Sequence, residues 1–90
     1  MNKIYDKLEQ IIQNIKGENT AISSETIDLD LRGKEFRFSD IDFVYLILET
    51  QYEFGISFSE EELLRDDFRS IRAIADAIVL KTKDDFAIDV

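Results

Sequence analysis

Apolar residues recur at helical spacing in several separate stretches of this chain, and this spacing limits its possible folds more than any other feature. In the first stretch they stand at i, i+4, i+7, i+8 and i+11, the pattern of an amphipathic helix. These residues are Ile4, Leu8, Ile11, Ile12 and Ile15. Gly17 is placed to end the helix. The pattern therefore predicts a first helix that packs one face on a core.

A second helix is predicted to begin after Ser39, whose side chain can cap it and which is followed by carboxylates that suit the helix dipole. Gly55 is placed to end this helix near Phe54. Its predicted core stripe comprises Ile41, Val44, Ile47, Leu48 and Tyr52. The acids predicted to lie away from that stripe are Asp42, Glu49 and Glu53.

Two further helices are predicted from their start signals. Ser59, with Glu62 three positions later, is a capping-box pattern for a short third helix. Ser70 is placed to cap a fourth helix with a core stripe of Ile71, Ile74, Ala75 and Ile78. The fourth helix is predicted to end near Lys81 and Lys83, which places one helical domain in residues 1–83 and a mobile tail in residues 84–90.

The stretch of residues 26–38 permits two interpretations. Its apolar residues alternate with polar ones around Gly33, and they are Ile27, Leu29, Leu31, Phe36 and Phe38. Alternation fits two short strands, but an isolated hairpin is only marginally stable. We favour a long loop that packs apolar side chains on a helical core. The predicted fold is all-α, a small four-helix bundle with a long loop after the first helix and a short third helix.

Composition excludes several classes of function. The 90 residues include neither Cys nor His, so the chain has no thiol nucleophile and lacks the commonest general base and metal ligand. We therefore predict that it is not an enzyme and holds no metal. The adjacent acids Asp66 and Asp67, and likewise Asp84 and Asp85, are interpreted as solvated residues, since nothing completes an oxygen cage around them.

The charge of the chain points to a basic partner. The net charge is −9, with −1 up to Ser39 and −8 from Asp40 onward. Such a chain repels phosphate backbones and anionic lipid, which argues against nucleic-acid or membrane partners. No signal peptide is visible, so a cytoplasmic location is expected.

Three stretches of the sequence together resemble acyl carrier proteins. The residues 41–47 (IDFVYLI) and 53–61 (EFGISFSEE) look like the second helix of that family and the loop after it, and residues 67–75 (DFRSIRAIA) look like the entry into its last helix. The resemblance covers about half of the chain. It implies a carrier in which a serine at the start of the second helix receives 4′-phosphopantetheine from coenzyme A. The thiol of that arm then holds an acyl, peptidyl or aminoacyl group. The resemblance also implies a monomer, which is typical of that family.

The attachment motif departs from the family pattern. The family has Asp-Ser-Leu or Asp-Ser-Ile, usually preceded by Gly and an apolar residue, whereas residues 37–41 read Arg-Phe-Ser-Asp-Ile. The alignment puts Asp40 at the serine position, Ser39 at the aspartate position and Arg37 where Gly is typical. A carboxylate attacking phosphorus would give a hydrolysable acyl phosphate. A slip of one residue turns a helical side chain by about 100°, and bringing Ser39 into place this way would move Ile41, Val44 and Ile47 off the predicted core.

The leading hypothesis is an acyl-carrier-like protein that lacks a normal attachment serine and docks onto biosynthetic enzymes through an acidic second helix. The predicted contact residues are Asp40, Asp42, Tyr45, Glu49 and Glu53. For each acid the alternative is a solvated surface position, and for Tyr45 it is packing against the long loop. One alternative function is a working carrier with 4′-phosphopantetheine on Ser39. Another is a small helical adaptor unrelated to carriers.

Overall fold

Four α-helices in chain order form the protein in its computed structural model. They are α1 (Lys3–Lys16), α2 (Asp40–Phe54), α3 (Glu60–Arg65) and α4 (Ile71–Asp89). The structure describes residues 3–17, 20, 22–65 and 68–89, with side chains for all of these except 65 and 83–89. The predicted all-α fold with a long loop after α1 and a short α3 is confirmed.

The ends of α1 and α2 and the starts of α3 and α4 lie where the local chemistry predicts them. Gly17 ends α1 with a φ of 117°, and Gly55 ends α2 in the left-handed region with a φ of 63°. The Ser59 hydroxyl accepts a hydrogen bond from the backbone N–H of Glu62, whose carboxylate accepts one from the N–H of Ser59. At the start of α4, the Ser70 hydroxyl accepts from the N–H of Ala73. Capping residues therefore determine where these helices begin and end.

The core is mainly aliphatic, with four buried phenylalanines, and is built mainly from α1, α4 and the long loop. From the two helices it takes Leu8, Ile11, Ile12, Ile71, Ile74, Ala75 and Ile78. These are the stripes predicted for α1 and α4, and Ile4 and Ile15 pack at the edge of the same cluster. Burying such side chains stabilises the fold by about 1.5–3 kcal/mol each before conformational entropy is counted.

The segment between α1 and α2 is a loop of turns, and none of its described residues is in a strand. It buries Ile27, Leu31, Phe36 and Phe38 in the core. Its backbone is tied to the start of α4, because the N–H of Leu31 donates to the carbonyl of Arg69 at 2.6 Å and the N–H of Arg72 donates to the carbonyl of Ile27 at 2.9 Å. The loop interpretation of residues 26–38 is confirmed.

Two predictions about the helices are wrong. The backbone of α4 continues to Asp89, so the helix does not end near Lys81 and Lys83 as predicted; residue 90 lies outside the described residues. The predicted core stripe of α2 is also wrong, except for the half-buried Ile47. Its exposed members are Ile41, Val44, Leu48 and Tyr52.

A different face of α2 enters the core. Leu46 and Thr50 are fully buried, and Phe43, Ile47 and Phe54 pack beside them. This helix is apolar on both its inner and outer faces, so periodicity alone identifies a helix but does not decide which face points inward. Among the described residues, no helix is long and apolar enough to cross a membrane.

Candidate functional site

Ser39 caps α2 through a reciprocal pair of hydrogen bonds. Its hydroxyl accepts from the backbone N–H of Asp42 at 3.2 Å, and the Asp42 carboxylate accepts from the backbone N–H of Ser39 at 2.9 Å. That N–H, with help from the Lys16 ammonium, lowers the pKa of Asp42 below its ordinary value. The Ser39 hydroxyl, which the alternative prediction makes an attachment site, is thus exposed but engaged as a helix cap.

Asp40 is the first residue of α2 and points into solvent. Its carboxylate accepts a hydrogen bond from the Arg32 guanidinium at 2.6 Å, and its side chain is 85% exposed. The guanidinium also lies over the ring of Phe43, at 4.7 Å from the centroid. The side chain at the serine position of the family is therefore an accessible carboxylate beside an arginine, and it cannot form a stable phosphodiester.

Arg37 has the backbone of a glycine position. Its φ is 54°, in the left-handed region that costs an ordinary L-residue about 1–2 kcal/mol. The carbonyl of Arg37 accepts a hydrogen bond from Lys16 at 3.0 Å, which helps to hold this conformation. The resemblance to carriers places a Gly at this position, and the backbone has the conformation that a Gly would favour.

Two of the four acids of α2 are paired with lysines of α1. Lys16 bonds to Asp42 at 3.1 Å, and Lys7 bonds to Glu53 at 2.7 Å. Together with Arg32 at Asp40, these contacts engage three of the four acids predicted to meet a partner. Glu49 is exposed and makes no ion pair among the described residues. The acids therefore connect α2 to its own fold more than they project a uniform negative surface.

The side of α2 that faces solvent is apolar, and we call it the outer face. Its residues are Ile41, Val44, Tyr45, Leu48 and Tyr52. At about 100° per residue these side chains lie opposite the buried Leu46 and Thr50. Exposure reaches 78% at Tyr52 and 67% at Ile41. Tyr45 is 56% exposed, so more than half of it remains accessible to solvent.

A groove of about 820 Å³ runs between α2 and α3, next to the outer face. Phe43, Ile47, Phe58 and Phe68 contribute its apolar floor. Arg32 and Arg69 also line the groove, as do Val44 and Leu48 of the outer face and Leu63 and Leu64 of α3. The groove combines an apolar interior with cationic side chains, the usual character of a site for a small amphipathic group.

Glu62 holds the α3 side of this groove in place. Its carboxylate accepts a hydrogen bond from Lys81 of α4 at 2.7 Å and another from the capping N–H of Ser59. The Lys81 ammonium is the main cause of a pKa of Glu62 below its ordinary value. α3 is only six residues long, so these contacts contribute much of what fixes its position.

The structure places the predicted site residues together on α2 but changes their roles. Three of the acids form ion pairs with neighbouring cations, namely Asp40, Asp42 and Glu53. The side chains of Tyr45 and Glu49 are exposed to solvent. Sequence reasoning missed the exposed apolar residues because it assigned them to the core. The signal that could have found them is the presence of apolar residues on two opposite faces of one helix.

No set of acids that could hold a metal ion occurs among the residues whose side chains the structure describes. Asp66 and Asp67 lie outside the described residues, and the side chains of Asp84 and Asp85 are not described. Comparison of the chain with protein-family models, curated proteins and solved structures finds no match.

Proposed function

We propose that the protein is acyl-carrier-like, docks onto a cytoplasmic biosynthetic enzyme through α2, and lacks a normal site for 4′-phosphopantetheine. The observation that carries this proposal is the outer face of α2, where apolar side chains stand in solvent beside Asp40 and Glu49. A helix that is apolar on two faces is expected to be buried on both, so its outer face fits the surface of another molecule.

The left-handed backbone of Arg37 supports the alignment with carriers. This position is the one at which the family typically has Gly, and it lies two residues before Ser39. With the alignment anchored there, Asp40 occupies the serine position at the start of α2. The proposal therefore keeps the docking helix of a carrier and replaces the attachment residue with a carboxylate.

The exposed apolar residues change the expected character of the docking contact. Burial of Ile41, Tyr45 and Leu48 would supply most of the affinity, because the hydrophobic contribution scales with the area removed from water. Asp40 and Glu49 would meet basic residues of the enzyme and mainly affect the encounter rate and specificity. Asp42 and Glu53 contribute less, since lysines of α1 already neutralise them.

A working carrier modified at Ser39 is the second candidate, and one observation favours it. The sequence argued against a one-residue slip because Ile41, Val44 and Ile47 would leave the core, but Ile41 and Val44 are already outside it. That objection therefore now depends on Ile47 alone, which packs against the core. The hydroxyl of Ser39 is still engaged in the cap of α2, and modifying it would cost the capping hydrogen bond, worth about 1 kcal/mol.

Intact mass spectrometry after incubation with coenzyme A and a promiscuous phosphopantetheinyl transferase separates these candidates. The natural chain is expected to keep its mass. The double variant with Ser39→Asp and Asp40→Ser is expected to gain one phosphopantetheine, and its matched control with Ser39→Asp and Asp40→Ala is not. A gain by the natural chain that disappears in Ser39→Ala would establish a carrier at Ser39 and overturn the first proposal.

Docking is tested with a photo-crosslinking amino acid at Leu48 on the outer face. The matched control carries the same group at Leu80, which is 65% exposed but belongs to α4. Capture in cells of an acyl, polyketide or peptide biosynthetic enzyme at Leu48 alone is the expected result. Equal capture at both positions, or capture of proteins of other classes only, would favour the unrelated adaptor instead.

A further inference from the structure

The outer face of α2 is comparable in size to the largest apolar patch of a typical monomer. Its five residues are between 54% and 78% exposed. They expose an area on the order of 700 Å² when backbone atoms and the tyrosine hydroxyls are included, so the apolar part is comparable to the roughly 300–600 Å² of such a patch. A stable interface buries about 800 Å² on each partner, so this face nearly suffices for one.

The intervals between the apolar residues of the outer face are the same when counted from either end of the helix. The central residues Ile41, Tyr45, Leu48 and Tyr52 are separated by four, three and four positions. A twofold axis between positions 46 and 47 would therefore place Ile41 opposite Tyr52 of another copy and Tyr45 opposite Leu48. A twofold interface requires such self-complementarity, because each surface meets an identical surface.

Ion pairs engage three of the four acids of α2, and Glu49 alone remains exposed beside this face without an ion pair among the described residues. Lys7 and Lys16 hold Glu53 and Asp42 on the side toward α1, and Arg32 holds Asp40. Two outer faces can thus approach without burying a lone carboxylate among those three, which would otherwise be strongly unfavourable.

We propose that the outer face of α2 is covered by a second copy of the same chain, with the two α2 helices antiparallel. This dimer differs from the monomer that the resemblance to carriers implies. The predicted core stripe of α2 placed four apolar residues in the core, where they would not have been available for an interface. These are Ile41, Val44, Leu48 and Tyr52. Since the enzyme of the proposed function would use the same face, the dimer is a closed form that must dissociate before docking.

Added salt is expected to change the affinity of the dimer in the direction opposite to its effect on docking to a basic enzyme. Each copy carries a net charge of −9, so the two copies repel each other at long range. Added salt screens that repulsion and is expected to strengthen the dimer, whereas it weakens attraction between an acidic and a basic surface.

Sedimentation equilibrium of the purified chain, from micromolar to millimolar concentration and at low and high salt, tests the proposal. The mass is expected to rise from 10.5 kDa toward twice that value, and to do so at lower concentration in high salt. Leu48→Glu is expected to raise the dissociation constant at least about tenfold, because it places an unpaired carboxylate in the interface. The matched control Leu80→Glu, on α4, is expected to leave it unchanged, and circular dichroism checks that both variants remain helical.

Mixing two variants tests the antiparallel arrangement. Ile41→Glu and Tyr52→Lys are each expected to weaken the dimer, while their mixture regains it because the new charges face each other. A mass that stays at 10.5 kDa throughout the concentration range would overturn the proposal. Equal weakening by Leu48→Glu and Leu80→Glu, or a mixture that remains monomeric, would also overturn it. These measurements use the purified chain alone, so a result that refutes the dimer does not refute docking on an enzyme. The cross-linking experiment can refute docking independently of the dimer.

Discussion

Thr50 offers the sharpest test of how the core of this protein is held together. Its side chain is fully buried on the inner face of α2, and its hydroxyl has no hydrogen-bond partner among the described residues. A buried hydroxyl without a partner costs about 1–3 kcal/mol relative to solvent, judged from measured substitutions in proteins. Thr50→Val replaces that hydroxyl by a methyl group of similar size and removes the cost.

The expected gain in the free energy of unfolding is about 1–2 kcal/mol, because helix propensity and side-chain branching hardly change between Thr and Val. For a domain of this size 1 kcal/mol corresponds to a rise of about 4–8 °C in Tm. Urea unfolding followed by circular dichroism measures the change, and an unaltered slope against denaturant would show that the unfolded state is the same.

Thr82→Val is the matched control. The Thr82 hydroxyl donates to the carbonyl of Ile78 at 3.0 Å, so the same substitution removes a hydrogen bond there. It is expected to be neutral or to destabilise by about 0.5–1 kcal/mol. A loss of stability in Thr50→Val as large as in the control would show that the Thr50 hydroxyl has a partner, and it would refute the reasoning.

Three further substitutions test other parts of the fold. Arg37→Gly is expected to stabilise by about 0.5–1 kcal/mol in thermal unfolding, since it relieves a left-handed backbone; a loss of stability would contradict the assigned φ. Leu31→Ala is expected to cost about 2–5 kcal/mol in urea unfolding, and Leu29→Ala in the same loop less than 1 kcal/mol, because only Leu31 is fully buried. Folding lowers the pKa of Glu62, so the bonds of its carboxylate contribute to the free energy of unfolding. This contribution is complete when the pH is above the ordinary pKa of 4.5, and it is lost as the pH falls through the pKa of the folded state. Glu62→Gln should therefore flatten the acid limb of Tm against pH, and an unchanged limb would show that the bond to Lys81 contributes nothing.

Helix starts and most helix ends could be predicted from sequence because each depends on a few adjacent residues. Ser39, Gly55 and Ser59 perform the local capping that their types favour. The end of α4 could not be predicted in this way. No Gly follows Lys83 in the sequence, and lysine is compatible with the interior of a helix as well as with its end.

The orientation of α2 could not be predicted because it depends on the rest of the molecule. Ile41 and Leu48 are as apolar as Leu46, and only the positions of α1 and the long loop decide that Leu46 points inward. The ion pairs of the candidate site could not be predicted for the same reason. The acids could be identified from sequence, but their bonds to Lys7 and Lys16 join parts of the chain that only the tertiary fold brings together.

The attachment of the long loop to α4 has a consequence for the rate of folding. Asp28 and Arg72 bond across 44 positions of sequence, and the backbone bonds at Ile27 and Leu31 join the same two segments. Such contacts require a large loop to close before they form, whereas the turns of α1 and α2 depend on neighbours only. The helices are therefore expected to gain structure before the loop docks. Substitutions that remove these contacts between the long loop and α4 should mainly accelerate unfolding and leave the refolding rate nearly unchanged.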